Sequence, residues 1–391
     1  MKLDRLSVGF IPLVDAAPLI VAEEMGFAAE EGLHLDLRRA PSWSALRDQL
    51  SFGQVDAAHM LSPVPVAAAL GLGGGGVNLH AISVLSVNGN VIGVSRDLAK
   101  RMRDAGHDFA FSDANAAGAA LIRAQGFGLR IGVPFPFSMH AELVFYWLSA
   151  LGLPAPQSVH IHTVPPQQMA DAMHAGEIDA FCVGEPWGSL AVETGVAELL
   201  LPGSAIWAFA PEKGLATRAD WLESSPELAH RLVRALWRSA KWLTGASART
   251  LATEFLGRAQ YLNLPAEILE RAMLGRFVIG PSGETRTVPG FVNFSSGAAG
   301  FPWRSQAEWI ARQLAARTGL DREAAAQAAR ATFRSDVYRT ALARVAHDLP
   351  SASSKVEGAV AKEMAVGSVG GRLILPRDAF FDGRIFEPSV G

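Results

Sequence analysis

The first two hundred residues alternate strand and helix signals, and that alternation restricts the fold more than any other feature. Leu6–Phe10, Leu33–Leu37, Asp56–Leu61, Arg130–Val133, Val159–Val164 and Asp179–Val183 read as strands. Pro18–Glu31, Ser44–Leu50, Val64–Leu70, Leu98–Ala105, Ala116–Gln125, Met139–Leu151 and Gln167–His174 read as the helices between them. Two further strands flank Asn88-Gly89-Asn90 within Val77–Val94. An alternation of this kind implies parallel sheets covered by helices. From about Pro226 the texture turns helical: Glu227–Leu243, Ala246–Leu256, Ala266–Leu274, Gln306–Arg317, Arg322–Ala331 and Ser335–Val345. The stretch Ser351–Gly391 is irregular, with a weak strand at Arg372–Pro376. The pattern predicts an α/β protein of two lobes with a cleft between them. Residues 1–92 and 206–391 would form lobe 1 with a helical C-terminal extension and tail, and 93–205 lobe 2. Val91–Ser95 and Leu201–Trp207 would be the crossovers.

Composition removes several classes of function. Hydrophobic residues make up 49% of the chain against 19% charged, which excludes a disordered protein. A net charge of −3 supplies no basic field for direct nucleic-acid binding or for a membrane surface. Residues 57–95 contain no Asp, Glu, Lys or Arg, yet Pro63, Pro65 and the Gly71–Gly76 cluster cut the run into pieces too short to span a bilayer. A buried helix followed by two inner strands is expected there. The single cysteine, Cys182, excludes an intrachain disulfide and a cysteine-built metal site. Met1–Phe10 runs straight into a strand pattern with no secretory leader before it, which leads us to expect a cytoplasmic protein. The competing reading is a mature exported chain whose leader has been removed.

Three stretches carry the candidate chemistry: Pro134-Phe-Pro-Phe-Ser-Met-His140, Phe181-Cys-Val-Gly-Glu-Pro-Trp187 and Pro211-Glu-Lys213. Each begins where an apolar run gives way to a turn or helix start, the places where α/β proteins offer backbone N–H groups to ligands. With Ser138 as cap, His140 takes the second helical position, where a charge of about +0.5 favours an anion and a neutral ring. Gly184 lacks a Cβ and lets a ligand reach the main chain. Lys213 brings an ammonium on a flexible stem, in what reads as a loop just past a crossover. Trp43, at a strand-to-helix turn, offers an indole N–H, and Asn90 an amide from the base of a strand. Each of these taken alone is compatible with a structural role. Together they suit a small anion.

Other constellations are weaker. His160-x-His162 places two imidazoles on one strand face without a third ligand, so no metal site is expected. Gly71–Gly76 lacks the Gly-Lys-[Ser/Thr] ending of a phosphate loop. Cys182 with His140 and Glu185 could be written as nucleophile, base and orienter, but an apolar strand residue is usually inert packing. Glu185 reads as a structural cap or a partner bridging the lobes rather than a catalytic acid.

Taken together, the chain resembles the nitrate- and bicarbonate-binding proteins of ABC importers, and within them most resembles the cytoplasmic NasS-type nitrate sensors. The matching stretches include Ser42-Trp43…Arg47-Asp48, Asp56-Ala-Ala-His-Met-Leu61, Asn88-Gly-Asn90, Ser138-Met-His140, Phe181–Trp187, Pro211-Glu-Lys213, Phe301-Pro-Trp-Arg-Ser305, Phe333–Tyr338 and Phe381–Phe386. The resemblance implies a type II periplasmic-binding-protein-like fold. It also implies an anion site made of Trp43, Asn90, His140, Gly184 and Lys213. Asn90 stands where the importer proteins carry a glutamine. Lys213 stands where bicarbonate binders carry an acid, which favours nitrate or nitrite.

The resemblance further implies a non-enzymatic sensor without cofactor. Its partner would be an ANTAR-type (NasT-type) RNA-binding antiterminator, held without nitrate and released with it. The alternatives are an exported solute-binding subunit of a nitrate or bicarbonate importer, and an enzyme acting on a small acid through Cys182. Nitrate is planar with three acceptor oxygens. Charge-assisted bonds of roughly 1.5–3 kcal/mol each would sustain micromolar binding, about −8 kcal/mol, in a closed cleft.

Overall fold

The computed structural model describes residues 2–74, 76–125 and 127–389. Its strands form two principal sheets. The first contains β1 (Asp4–Phe10), β2 (Leu33–Arg39), β3 (Ala57–Leu61), β4 (Leu79–Asn88) and, after a long excursion, a strand at Pro211–Arg218. The second contains β5 (Asn90–Ser95), β6 (Leu129–Val133), β7 (Val159–Thr163), β8 (Ala180–Gly184) and β9 (Ala197–Pro202). With Pro211–Arg218 as β10, the first sheet runs β4-β10-β3-β1-β2, with Val292–Asn293 added outside β4, and the second runs β7-β6-β8-β5-β9.

The sheets are mixed where the alternation predicts parallel ones. β1 pairs parallel with β2 and β3, and β6 parallel with β7 and β8, as local crossover helices dictate. β10 is antiparallel to both β3 and β4, and β5 antiparallel to both β8 and β9. These two strands arrive from the other sheet, so no crossover helix sets their direction.

The change of sheet falls at Gly89, earlier than the expected Val91–Ser95, which instead lies inside β5. Gly89 has φ +106° and Asn88 φ +59°, a left-handed pair that turns the chain within one residue. Asn88 Nδ2 donates to Ala208 O at 2.8 Å, tying this passage to the chain that returns toward β10. The charge-free run 57–95 holds β3, a short helix Pro63–Ala69, β4 and β5, and most of it is buried. One expected helix, Pro18–Glu31, is split into Ala17–Glu24 and Phe27–Glu30, because Gly26 takes φ +80°.

The C-terminal region leans on the first sheet, yet it also reaches the second lobe, through Arg271 to Glu193 and onto the helix Met139–Ala150. Glu142, on the helix Met139–Ala150, pairs with Arg317 of the helix Arg304–Thr318. Tyr146 Oη of the former helix donates to Asp382 in the tail at 2.9 Å. Across the cleft itself, Val14 N–H donates to Glu185 O at 3.0 Å, and Trp187 Nε1 to Pro12 O at 2.8 Å. The two lobes are therefore shut against each other. Among the described residues, no helix is long and apolar enough to cross a membrane.

Candidate functional site

The cleft collects side chains from both sheets. Ser42 caps the helix Trp43–Ser51 by accepting from Ala45 N–H at 3.2 Å, which fixes Trp43 at the first helical position facing inward. Ser138 does the same for the helix Met139–Ala150, accepting from Ala141 N–H at 3.2 Å and donating to Phe135 O at 2.6 Å. His140 thus occupies the second position of its helix and is fully buried. Gly184 ends β8, and a Cβ built on it would lie 3.7 Å from His140 Nε2 and 3.0 Å from a Leu13 methyl. The side of that glycine free of a Cβ therefore faces the Nε2 edge of the imidazole.

Lys213 departs from expectation. It lies inside β10 at 0% exposure and between two carboxylates, where the sequence reads as a loop. Its Nζ is 2.9 Å from Asp15 Oδ2 and 3.0 Å from Glu212 Oε1, and 5.5 Å from the Trp43 ring centre. Consecutive strand residues normally face opposite sides of a sheet. The register between β10 and β4 breaks on either side of Lys213, and that bulge lets Glu212 and Lys213 enter the cleft together.

Three residues missed by the sequence reading complete the cluster. Asp15, in the turn after β1, also lies 2.9 Å from His59 Nε2 on β3. His59 in turn packs its ring 5.6 Å from that of Trp43. Glu212 Oε1 is 3.1 Å from His140 Nδ1, and its Oε2 accepts from Asn90 Nδ2 at 2.7 Å. Asn90 thus gives its amide to Glu212 in this closed arrangement. The order of contact is His59, Asp15, Lys213, Glu212, then His140 and Asn90, all within a few per cent of complete burial. Asp15-Ala16 and Glu212 could have been flagged as acids inside apolar surroundings. His59 could have been flagged as a polar residue in the run Ala57–Leu61.

The electrostatics follow from burial opposed by pairing. Burial alone would raise the Asp15 carboxyl, but Lys213 and His59 overcome it and hold Asp15 below the usual carboxylate range. For Glu212 burial wins over Lys213, and its carboxyl is pushed up. Burial opposes the charge on Lys213, yet Asp15 and Glu212 together hold its proton more firmly than usual. Burial drives both imidazoles toward the neutral form, His140 strongly and with help from Lys213. The neutral ring expected for His140 is present, with burial as its principal cause. Among the described residues, Trp43 Nε1 and, when protonated, His140 Nε2 are cleft donors without a protein partner.

The weaker constellations resolve simply. Cys182 is fully buried on β8, and burial, aided by Glu212, pushes its thiol well above the ordinary range, the opposite of an activated nucleophile. Glu185 accepts from Ser189 N–H at 3.2 Å, a capping role. His160 and His162 are both exposed on β7, and no metal-holding group of three such side chains exists among the described residues.

A family model described as the NMT1-like family matches residues 1–257, well over half of the chain. The chain belongs to that family. The nitrate import ATP-binding protein NrtC of Synechocystis is 32% identical over 313 residues, covering 80% of this chain and 46% of NrtC. The nitrate/nitrite binding protein NrtA of Nostoc is 31% identical over 312 residues, covering 78% of this chain and 69% of NrtA. The chain thus spans about half the length of the first relative and about two thirds of the second. The crystal structure of the periplasmic nitrate-binding protein NrtA from Synechocystis superimposes with a TM-score of 0.84 at 26% identity. It covers 99% of this chain and 96% of that one. The two-lobed α/β architecture with added helices is accordingly the periplasmic-binding-protein fold.

Proposed function

We propose that this protein binds nitrate or nitrite in the cleft between its lobes, without catalysis, and works as a cytoplasmic sensor for nitrate assimilation. The observation that carries the anion reading is the meeting of buried nitrogens without protein partners, Nε2 of His140 beside Gly184 and the indole N–H of Trp43 beside Lys213, in one cleft. Neutral donors around one cation match a planar, monovalent oxyanion. The names of the NrtA relatives point the same way, and a lysine rather than an acid at 213 favours nitrate or nitrite over bicarbonate. The sensor role rests on resemblance to NasS-type proteins. In that role the anion stabilises the closed form, and closure releases an RNA-binding antiterminator of the ANTAR type. Only an anion that binds the closed state better shifts that balance.

The importer reading has an observation of its own in its favour. Similarity to the periplasmic NrtA structure extends over nearly the whole of both chains. In that reading the same cleft delivers its anion to a membrane permease.

Two experiments test these readings. Titration calorimetry with nitrate, nitrite and bicarbonate is expected to show one site for nitrate or nitrite, and no binding at millimolar levels refutes the anion assignment. A pull-down from native cell extract, with and without nitrate, is expected to recover an antiterminator only without nitrate. Recovery of permease components instead favours the importer.

A further inference from the structure

The cleft contains more negative charge than an anion site should. With both carboxylates ionised and both rings neutral, Asp15 and Glu212 outnumber the single ammonium of Lys213, which already touches both. An arriving anion would add a further negative charge to a fully buried cluster, at a cost that desolvated like charges make large. Asp15 is answered by Lys213 and His59. Glu212 shares Lys213 and otherwise meets the neutral Asn90 and His140, with the neutral thiol of Cys182 also within its field.

The Glu212–His140 contact also sets what the anion meets. When Glu212 is ionised, His140 satisfies it with Nδ1–H, and a neutral imidazole then has a bare lone pair at Nε2. That lone pair lies beside Gly184 and would repel an oxyanion. One added proton reverses this. Placed on the carboxyl, it is donated to Nδ1 and the ring carries its hydrogen at Nε2. Placed on the ring, it makes both nitrogens donors. Either way Nε2 turns from acceptor to donor and the added negative charge is offset.

We propose that binding of an oxyanion here takes up one proton from solvent, held by the Glu212–His140 pair, so that the proton is a co-ligand and Glu212 its carrier. This rests on the anion reading above and adds to it. Affinity then falls as pH rises, by up to about tenfold per unit once the unliganded pair has lost that proton.

Calorimetric titration with sodium nitrate in phosphate and in Tris, at matched pH between 6 and 9, tests it. The two buffers differ widely in ionisation enthalpy, so proton uptake appears as a difference in observed heat. The expected result is uptake approaching one proton per nitrate, with the matching pH slope in affinity. Glu212→Gln removes the titrating carboxyl and its negative charge, so both the uptake and the slope are expected to vanish. Nitrate heats that are identical in the two buffers overturn the proton step and leave the anion site standing. Binding of none of nitrate, nitrite or bicarbonate overturns both. The unmodified protein alone decides the question if the variant fails to fold.

Discussion

Trp43→Phe isolates one donor. The substitution keeps an aromatic ring against His59 and near Lys213, and deletes the Nε1–H that has no protein partner. Two consequences follow with opposite signs. A hydrogen bond to a charged acceptor is worth roughly 1.5–3 kcal/mol, so losing it is expected to weaken nitrate binding by roughly ten- to a hundredfold. The unliganded protein loses a buried, unsatisfied donor, whose burial costs about 1–3 kcal/mol. Against that stands the smaller volume of phenylalanine in a well-packed spot. Stability without ligand is therefore expected to change by no more than about 1–2 kcal/mol. Calorimetry gives the affinity, and thermal melts with and without nitrate give the stability. An affinity within about threefold of the original would mean that the indole N–H does not face the anion, and would refute the site as drawn.

Lys213→Glu places a third carboxylate against Asp15 and Glu212, and is expected to weaken nitrate binding by at least about tenfold in the same titration. Glu185→Gln should stabilise the protein selectively at higher pH. The buried Glu185 carboxyl is pushed up to about 7, so the folded state holds a proton that the unfolded chain releases near the ordinary value of 4.5. Stability present below that value is lost as pH rises toward about 7, and the amide avoids the loss, so the melting-temperature gain should appear at pH 8 and shrink at pH 4.5. An equal gain at both would contradict it. The Cys182 thiol should resist a maleimide in the native protein and react once it unfolds, as followed by mass spectrometry; fast native labelling would reopen the nucleophile reading.

Much of the fold was legible because the first two hundred residues obey local periodicity. The helices Ala246–Leu256 and Ala266–Leu274 were read to the residue, and the capping pattern at Ser138 located His140. What escaped was long-range. β10 opens with Pro211-Glu-Lys213, residues that read as a loop, and only its place between β3 and β4 makes it a central strand. The direction of β5 and β10 depends on the other sheet, so no window of sequence could reveal it.

The site shows the same division. Trp43, His140 and Gly184 stand at element ends, where local signals concentrate, and the structure gathers them with Asn90 and Lys213 around one cleft. Asp15 and Glu212 were overlooked because their importance lies in whom they meet. A carboxylate 198 positions in sequence from its lysine partner, as Asp15 is from Lys213, is invisible to motif spacing, and the bulge that turns Glu212 inward has no signature in Pro-Glu-Lys-Gly. The ammonium is single, as the sequence suggests, but for that reason its two carboxylate partners went unforeseen.

The bulge in β10 also sets which distances are free to change. Glu212 and Lys213 are joined by a peptide bond, whereas Asn90 and His140 come from the opposite lobe. Any widening of the cleft strips the carboxylate of its neutral companions and leaves it beside the ammonium. A gaping molecule would therefore greet a distant anion with two carboxylates around one ammonium, exerting no pull from afar. Recognition would begin only at short range, as the jaws meet, which would leave capture governed by closure more than by electrostatic steering.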